Sequence, residues 1–233
     1  MKTVVVTGCD YGLGVELAKR GLADGWRVFA GCLHLAKAKA MREMSRAYGK
    51  QLTVLPMDMS SEPAIRRAAA VIRRKVPRLD LVVNNAGVFW NDGPEKVSAR
   101  DFQRMFAVNT IGPAILVREL LKPLRAARGA IVNISSEAGS LAGVQSARPI
   151  IAYGASKAAL NMVMRRFSFM LADDGIRILL VHPGWMRTPM GRTAGDPTQE
   201  PAATAKDVFE LAAKLDDRTT GSFVEHSGRP YPW

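Results

Sequence analysis

Tyr153 and Lys157 have residue types and a spacing that could support proton transfer. They stand four positions apart, which on a helix puts both side chains on one face. A phenol ionises near pH ~10, and a neighbouring ammonium favours the phenolate and lowers that pKa. The pair therefore predicts a group that exchanges a proton with an alcohol or carbonyl oxygen. Taken alone, the spacing also fits an ordinary tyrosine–lysine pair on a helix.

Two serines stand shortly before this pair and are candidates to hold a substrate oxygen. Ser135 and Ser136 follow the apolar run that begins at Ala130, and Ser136 lies seventeen residues before Tyr153. Successive side chains of a strand point to opposite faces of the sheet. Only one of the two serines can therefore face a site shared with Tyr153.

A glycine-rich turn near the start of the chain is a candidate phosphate-binding loop. The stretch TGCDYGLG, from Thr7 to Gly14, follows the apolar run Val4–Val6 and precedes a helix-like segment. Glycines allow a tight turn and a close approach to a pyrophosphate, and the helix N-terminus favours an anion. The turn predicts nucleotide contacts from Gly8, Cys9, Asp10, Tyr11, Gly12, Leu13 and Gly14. A purely structural turn is the alternative.

Alternating strands and helices must position these residues. The apolar runs predict strands at Thr3–Thr7, Arg27–Cys32, Leu52–Met57, Leu79–Asn84, Ala130–Ser135, Ile176–His182 and Ser222–Glu225. Helices are predicted at Gly12–Ala23, Leu35–Tyr48, Ser61–Lys75, Asp101–Ala126 (bent around Gly112–Pro113), Tyr153–Ala172 and Thr204–Lys214. Most of the strand-like runs lack polar alternation, which is typical of strands covered on both faces.

This order of elements predicts an α/β fold with one doubly wound, mostly parallel, seven-stranded sheet and helices on both faces. No composition break divides residues 1–233, so we expect a single domain. Loops at 89–97, 139–149 and 184–200 follow predicted strands and should gather at the carboxyl edge of the sheet. Open α/β sheets bind ligands at that edge.

Composition and charge limit the classes of partner. The chain is 48% hydrophobic and 23% charged, with a net charge of +12, which excludes a disordered chain. Its basic residues are scattered, so we expect solvated helix faces and a basic mouth for an anionic cofactor, not a nucleic-acid or membrane surface. No apolar run is long enough to cross a bilayer, and Lys2 leads directly into a strand. We therefore expect a cytoplasmic protein.

The two cysteines, Cys9 and Cys32, are too few for a disulfide framework. We expect both to be reduced thiols. No group of cysteines and histidines has the spacing of metal ligands, so we expect no metal site.

Further motifs follow the glycine turn in a fixed order. Asn84-Asn85-Ala86-Gly87 ends the fourth strand, Asn109 lies in Val-Asn-Thr, and Pro183-Gly184 precedes Thr188. With the TGxxxGxG turn, Ser136 and the Tyr153/Lys157 pair, they resemble the short-chain dehydrogenase/reductase family over essentially the whole chain. The segments HPGWMRTPMG, Ser136–Ser140 and the ending GRPYPW resemble the C-factor-type carbonyl reductases of that family.

The resemblance implies a single Rossmann-fold domain over residues 1–233, with a substrate loop near 184–200. It implies that Tyr153 is the acid/base and that Lys157 activates it and holds the nicotinamide ribose. Ser136, in preference to Ser135, orients the substrate oxygen, and Asn109 supports a water-linked proton path from Lys157. The remaining predicted cofactor contacts are Asp58 and Met59 at the adenine, then Asn85, Ala86, Gly87, Pro183, Gly184, Trp185, Met186 and Thr188.

The choice between NADP and NAD depends on the end of the second strand. NAD enzymes place an acid there for the ribose 2′-hydroxyl, whereas this chain has Cys32-Leu33-His34. The missing acid permits a 2′-phosphate, so we expect contacts from Cys32, Leu33 and His34 and we expect NADP, with NAD as the alternative. Asp10, inside the glycine turn, counts against a phosphate.

The sequence therefore predicts an oxidoreductase that transfers a hydride between NADP(H) and a small carbonyl or alcohol substrate. The alternative is a non-catalytic, nucleotide-sensing protein on the same fold. Trp90, Trp185, Met186 and Met190 suggest an apolar substrate pocket. As in the family, we expect a homodimer or homotetramer.

Overall fold

Seven strands form one parallel sheet in the computed structural model, which describes residues 1–144, 147–193 and 197–233. The order across the sheet is β3-β2-β1-β4-β5-β6-β7, and every neighbouring pair is parallel. The strands are β1 Thr3–Thr7, β2 Arg27–Cys32, β3 Leu52–Pro56, β4 Leu81–Asn84, β5 Ala130–Ile134, β6 Arg177–His182 and β7 Ser222–Glu225. The predicted fold class is confirmed, with a sheet that is parallel throughout.

Helices cover both faces of the sheet. They are α1 Leu13–Ala23, α2 Lys39–Tyr48, α3 Glu62–Lys75, α4 Ala99–Phe106, α5 Gly112–Ala127, α6 Ile151–Met170, α7 Pro189–Thr193 and α8 Pro201–Lys214. Among the described residues, no helix combines the length and the apolar character that a membrane crossing requires.

Alternate side chains of the strands supply two separate cores. In β1, Val4 and Val6 pack with α1, α2 and α8 on one face. Val5 packs with α3, α5 and α6 on the other face. All five residues of β1 are buried, which explains why the strand-like runs are continuously apolar.

The long helix predicted at 101–126 is divided in the structure. A π-helical turn, Ala107–Ile111, separates α4 from α5, so the irregularity falls just before the predicted bend at Gly112–Pro113. A π-turn inserts one extra residue and is frequent near functional sites. The short helix α7 was not predicted, since its five residues are too few for a periodic pattern.

The carboxyl ends of all seven strands meet at one edge, because the sheet is parallel. β1 lies between β2 and β4, and the connections from this central strand and from β4 leave in opposite directions. A crevice opens where the connections diverge in this way.

Candidate active site

A cavity of about 480 Å³ opens at the carboxyl edge of the sheet. It is lined by segments that follow β1 to β6, which explains how residues far apart in the chain come together. Most predicted site residues line it: Gly8, Asp10, Tyr11, Gly12, Leu13, Leu33, His34, Asp58, Met59, Asn85, Ala86, Gly87, Ser136, Tyr153, Lys157, Pro183, Gly184, Trp185, Met186 and Thr188.

Four predicted site residues do not line the cavity. Cys9 and Cys32 are buried in the core behind its wall, and burial raises the pKa of the Cys32 thiol to about 12. Gly14 and Asn109 also lie behind the lining. Their contributions are therefore to the shape and support of the cavity.

The glycine turn has the compact shape that a pyrophosphate requires. Gly8 has a φ of +72°, and a Cβ there would lie 2.8 Å from the Cα of Ala86. A Cβ on Gly14 would overlap the carbonyl oxygen of Gly8. The first turn of α1 thus packs directly under the loop, and these residues fit the pyrophosphate of a dinucleotide.

Thr7 and Asn85 join the two sides of the crevice. The Asn85 side chain donates to the carbonyl of Thr7 at 2.8 Å, and the hydroxyl of Thr7 accepts from the amides of Asn85 and Ala86 at 3.0 and 2.9 Å. The ends of β1 and β4 are therefore held in a fixed relation beside the cavity, and Asn85 is one of the residues that fix it.

The helix that carries Tyr153 is capped from a distant loop. Asp92 is buried, and its Oδ2 accepts from the amide of Ala152 in the first turn of α6 at 2.9 Å. Its own amide donates to the carbonyl of Pro149 at 2.7 Å. A carboxylate at a helix N-terminus is favourable, so Asp92 fixes the start of α6 next to the site. Nothing in the local sequence pointed to Asp92.

Lys157 is a buried cation. Its side chain points inward at 4% exposure, and its Nζ donates to the carbonyl of Ile134, at the end of β5, at 2.8 Å. The Nζ lies 5.8 Å from the centre of the Tyr153 ring. Burial lowers the pKa of Lys157 to about 8, because a charge out of water is disfavoured.

Tyr153 is half-buried at the wall of the cavity, and the loss of water around its phenol raises its pKa. The Ser136 hydroxyl and the Arg148 guanidinium act in the opposite direction but do not outweigh it. The predicted lowering of the phenol pKa is therefore wrong for the protein on its own, because that expectation counted the ammonium of Lys157 and not burial. Phe89 packs edge-on against the Tyr153 ring, with 5.0 Å between centroids.

The two serines at the end of β5 are turned in different directions. The hydroxyl of Ser135 donates to Asn161 Oδ1 at 2.6 Å in a buried pair. Ser136 lies beside Tyr153, whose pKa it lowers, and its oxygen accepts from the amide of Ala138 at 3.2 Å. Ser136 is thus the serine that faces the tyrosine.

Asn109 lies in the π-turn, and its side chain bonds two other segments of the chain. Its Oδ1 accepts from the amide of Val88 at 2.8 Å, and its Nδ2 donates to the carbonyl of Val88 and to Ser156 Oγ, each at 3.0 Å. These bonds tie the segment after β4 to α6. The side chain supports the geometry of the site, and the relay role stays a prediction.

Asp58 and Thr188 also make local bonds. Asp58 Oδ1 accepts from the amide and hydroxyl of Ser60 at 2.8 and 2.6 Å. Thr188 Oγ1 accepts from the amide of Gly191 at 3.1 Å, and its methyl group lies close to Gly12, where an added Cβ would come within 3.2 Å of it. Both side chains therefore have structural roles beside any contact with a ligand.

Several lining residues were not among the predicted site residues. They include Phe89, Arg104, Val108, Glu137, Arg148 and His182, which all line the cavity. Trp185, Met186 and Met190 line it as expected, whereas Trp90 does not and packs against the guanidinium of Arg104. Arg148 pairs with Glu137 at 2.5 Å. Position in the loops at 89–97 and 139–149 was the available signal for Phe89 and Arg148.

The chain belongs to the short chain dehydrogenase family, whose model matches residues 2–199. It is 35% identical to human retinol dehydrogenase 5 over 190 residues, which are 80% of this chain and 57% of that relative. It is 30% identical, over the full length of both chains, to 1-hydroxy-2-glutathionyl-2-methyl-3-butene dehydrogenase of a Rhodococcus species. The chain spans just over half the length of the retinol dehydrogenase that it matches. The predicted family is thereby confirmed.

Solved structures with this fold include carbonyl reductases. An NADPH-bound carbonyl reductase from chicken fatty liver has a TM-score of 0.92 and 27% identity, with 100% of this chain and 99% of that chain covered. Carbonyl reductase Sniffer of D. melanogaster has a TM-score of 0.93 and 26% identity over all of both chains. A Burkholderia multivorans short-chain dehydrogenase/reductase with bound NADP has a TM-score of 0.86 and 25% identity, with 100% and 99% covered.

Proposed function

We propose that this protein transfers a hydride between a nicotinamide dinucleotide and a small carbonyl or alcohol substrate, with Tyr153, Lys157, Ser136 and Asn109 as the acting set. One observation carries the proposal. A buried lysine, a half-buried tyrosine and a serine that faces it line the same cavity as a glycine loop whose shape fits a pyrophosphate. None of the ion pairs formed by the described residues includes Lys157. Burying its charge without such a partner costs stability, and use of the amine in an acid/base site accounts for that cost.

The dinucleotide supplies the hydride donor or acceptor when bound. Ser136 donates a hydrogen bond to the substrate oxygen and holds it beside the phenol. Tyr153 gives its proton to that oxygen in the reductive direction and takes it back in the oxidative direction. Lys157 stabilises the tyrosinate that results, since its ammonium lies 5.8 Å from the ring.

The raised pKa of Tyr153 is compatible with this role. A protonated phenol is the form that a reductase needs, and burial favours that form near neutral pH. Asn109 contributes by holding Val88, in the segment after β4, and Ser156, on α6, in a fixed relation.

Support for NADP comes from two of the similar structures, the chicken carbonyl reductase with NADPH and the Burkholderia protein with NADP. His34 and Lys37 line the adenosine end of the cavity and could meet a phosphate. The carboxylate of Asp10 acts in the opposite direction and lines the same end.

A homodimer is the assembly that the surface supports best. Ile151, Met162 and Phe169 are 40%, 60% and 70% exposed, and their spacing along α6 places them on one face. An apolar stripe of this kind on an otherwise charged surface is typical of an interface.

The experiment that tests the proposal compares Tyr153→Phe with the wild type. We expect the variant to lose activity by a factor on the order of 10² to 10⁴ across a panel of aldehydes, ketones and quinones, because phenylalanine cannot transfer a proton. Dinucleotide affinity should stay within a few fold. Initial rates and fluorescence titrations measure the two quantities.

Tyr48→Phe, on the exposed side of α2, is the matched control and should keep full activity. Retention of full activity by Tyr153→Phe would refute the mechanism. Dinucleotide binding without turnover of any substrate in the panel would favour the nucleotide-sensing alternative.

A further inference from the structure

Asp10 connects the glycine loop to the end of β2. Its Oδ2 accepts from the amide of Leu33 at 2.9 Å, and its Oδ1 accepts from the amide of His34 at 2.8 Å. The side chain is half-buried and its residue lines the cavity. Two backbone bonds to one carboxylate fix where its negative charge lies.

The carboxylate lies at the end of β2, which is where dinucleotide-binding folds contact the ribose of the adenosine. In NAD-binding folds an acid near the end of the second strand, about twenty residues after the glycines, takes the ribose 2′-hydroxyl. Here the strand ends at Cys32, whose side chain is in the core. A carboxylate from the first loop lies on the backbone at the same place, so the acid is present although it comes from another segment.

The carboxylate also occupies the donors that a 2′-phosphate would need. The amides of Leu33 and His34 are both satisfied by Asp10. Nearby, the guanidinium of Arg42 donates to the carbonyls of Leu35 and Ala36 at 2.9 and 2.6 Å. Among the described residues none forms an ion pair with Asp10, so its charge is not neutralised by a partner.

The negative charge of Asp10 affects the thiols of both cysteines. After burial, it is a cause of the raised pKa of the Cys32 thiol and contributes to that of Cys9. His34 and Lys37, which line the same end, are exposed side chains that solvent and salt screen. The fixed charge is therefore negative, and the compensating charges are mobile.

We infer that Asp10 is a specificity-determining residue that makes this chain bind NAD(H) in preference to NADP(H). Each carboxylate oxygen keeps a lone pair beyond the one used by a backbone amide, so Asp10 can accept from a 2′-hydroxyl. A 2′-phosphate would meet a like charge instead. The inference rests on the proposed dinucleotide site and opposes the sequence-based expectation of NADP.

Calorimetric titrations of the full chain with NADH and NADPH test this inference without turnover. We expect the wild type to bind NADH on the order of ten- to a hundredfold more tightly. Asp10→Asn keeps the shape of the side chain, removes its charge and leaves one oxygen to accept from one of the two backbone amides. The ratio should therefore fall towards one, mainly through tighter binding of NADPH. Raising the salt concentration should narrow the ratio in the wild type more than in the variant.

Asp24→Asn is the control, since this carboxylate pairs with Arg20 at the far end of α1 and should leave the ratio unchanged. The ratio compares the NADH and NADPH affinities of the same variant. If Asp10→Asn weakened the binding of both dinucleotides equally, the ratio would not change, and that result would contradict the inference. The inference is overturned if the wild type binds NADPH as tightly as NADH or more tightly. It is also overturned if the wild type binds neither dinucleotide. Turnover with NADPH alone would overturn it while keeping the proposed function.

Discussion

At the scale of single residues, the amine of Lys157 is buried. Its pKa falls from 10.5 to about 8, a shift equivalent to about 3 kcal/mol. In the window between these values the unfolded chain holds the proton and the folded chain releases it. The unfolded state then binds more protons, so this group makes stability rise with pH from about 8 to 10.5 and leaves a constant penalty below pH 8.

We therefore expect Lys157→Met to increase the free energy of unfolding at pH 7 by about 1–2 kcal/mol. The gain is smaller than the full shift because the carbonyl of Ile134 loses its donor. The advantage of the variant should shrink between pH 7 and pH 9.5. Urea denaturation at the two pH values measures both effects.

Lys214→Met, an exposed position near the end of α8, is the control and should change stability little at either pH. A Lys157→Met protein that is less stable than the wild type at pH 7, or whose difference does not depend on pH, would contradict the argument.

At this scale, sequence reasoning predicted that Tyr153, Lys157 and Ser136 would lie together, and the three line one cavity. The spacing of Tyr153 and Lys157 placed them on one helix face. The bond from Lys157 to Ile134 and the packing of Phe89 on Tyr153 depend on how β5, α6 and the loop after β4 meet in space. No local pattern encodes those meetings, so the direction of the Tyr153 pKa shift could not be predicted.

At the scale of elements, the orientation of α6 depends on a cap supplied from another loop. Asp92 is 1% exposed and holds the first turn of this helix through Ala152. We expect Asp92→Ala to cost about 1–2 kcal/mol of stability. We also expect it to lower kcat several-fold, because Tyr153 lies one residue beyond the capped amide. Thermal unfolding and initial rates measure the two effects.

Ser61→Ala removes the cap of α3, where Ser61 accepts from the amide of Ala64, and serves as the comparison. It should reduce stability and leave kcat unchanged. Asp92 would be only a structural cap if Asp92→Ala reduced stability but had the wild-type kcat at temperatures at which the variant is folded.

The elements themselves were largely predictable. Continuous apolar runs such as Val4–Val6 are buried on both faces, and that burial is what makes the pattern readable. The boundaries were less so. The helix predicted from Leu35 begins at Lys39, after turns in which the amides of Lys37 and Ala38 bond the carbonyl of His34. The segment before it is held by Asp10, a tertiary contact outside any local window.

At the scale of the whole molecule, the apolar stripe of α6 predicts self-association. Phe169 is 70% exposed and lies on the same helix face as Met162. We expect a dimer by light scattering after size-exclusion chromatography, and we expect Phe169→Glu to be a monomer, because a buried charge without a partner disfavours the interface.

Tyr48→Glu, on the other side of the sheet from α6, should leave the dimer intact. A wild-type protein that is monomeric at micromolar concentration, or a Phe169→Glu protein that still dimerises, would contradict this assignment. Circular dichroism verifies that both variants are folded.

The pairing of β1 with β4 has a consequence for the order in which the chain folds. Val4 pairs with Val28 on one side and with Leu81 on the other, so the second pairing closes a much longer loop. That closure costs about 1 kcal/mol more in chain entropy, and pairings between distant segments form slowly. We therefore expect the contact between β1 and β4 to form late in folding. The cavity lies at the carboxyl ends of these same strands. A ligand bound there would hold together the two parts of the sheet that are hardest to bring into contact.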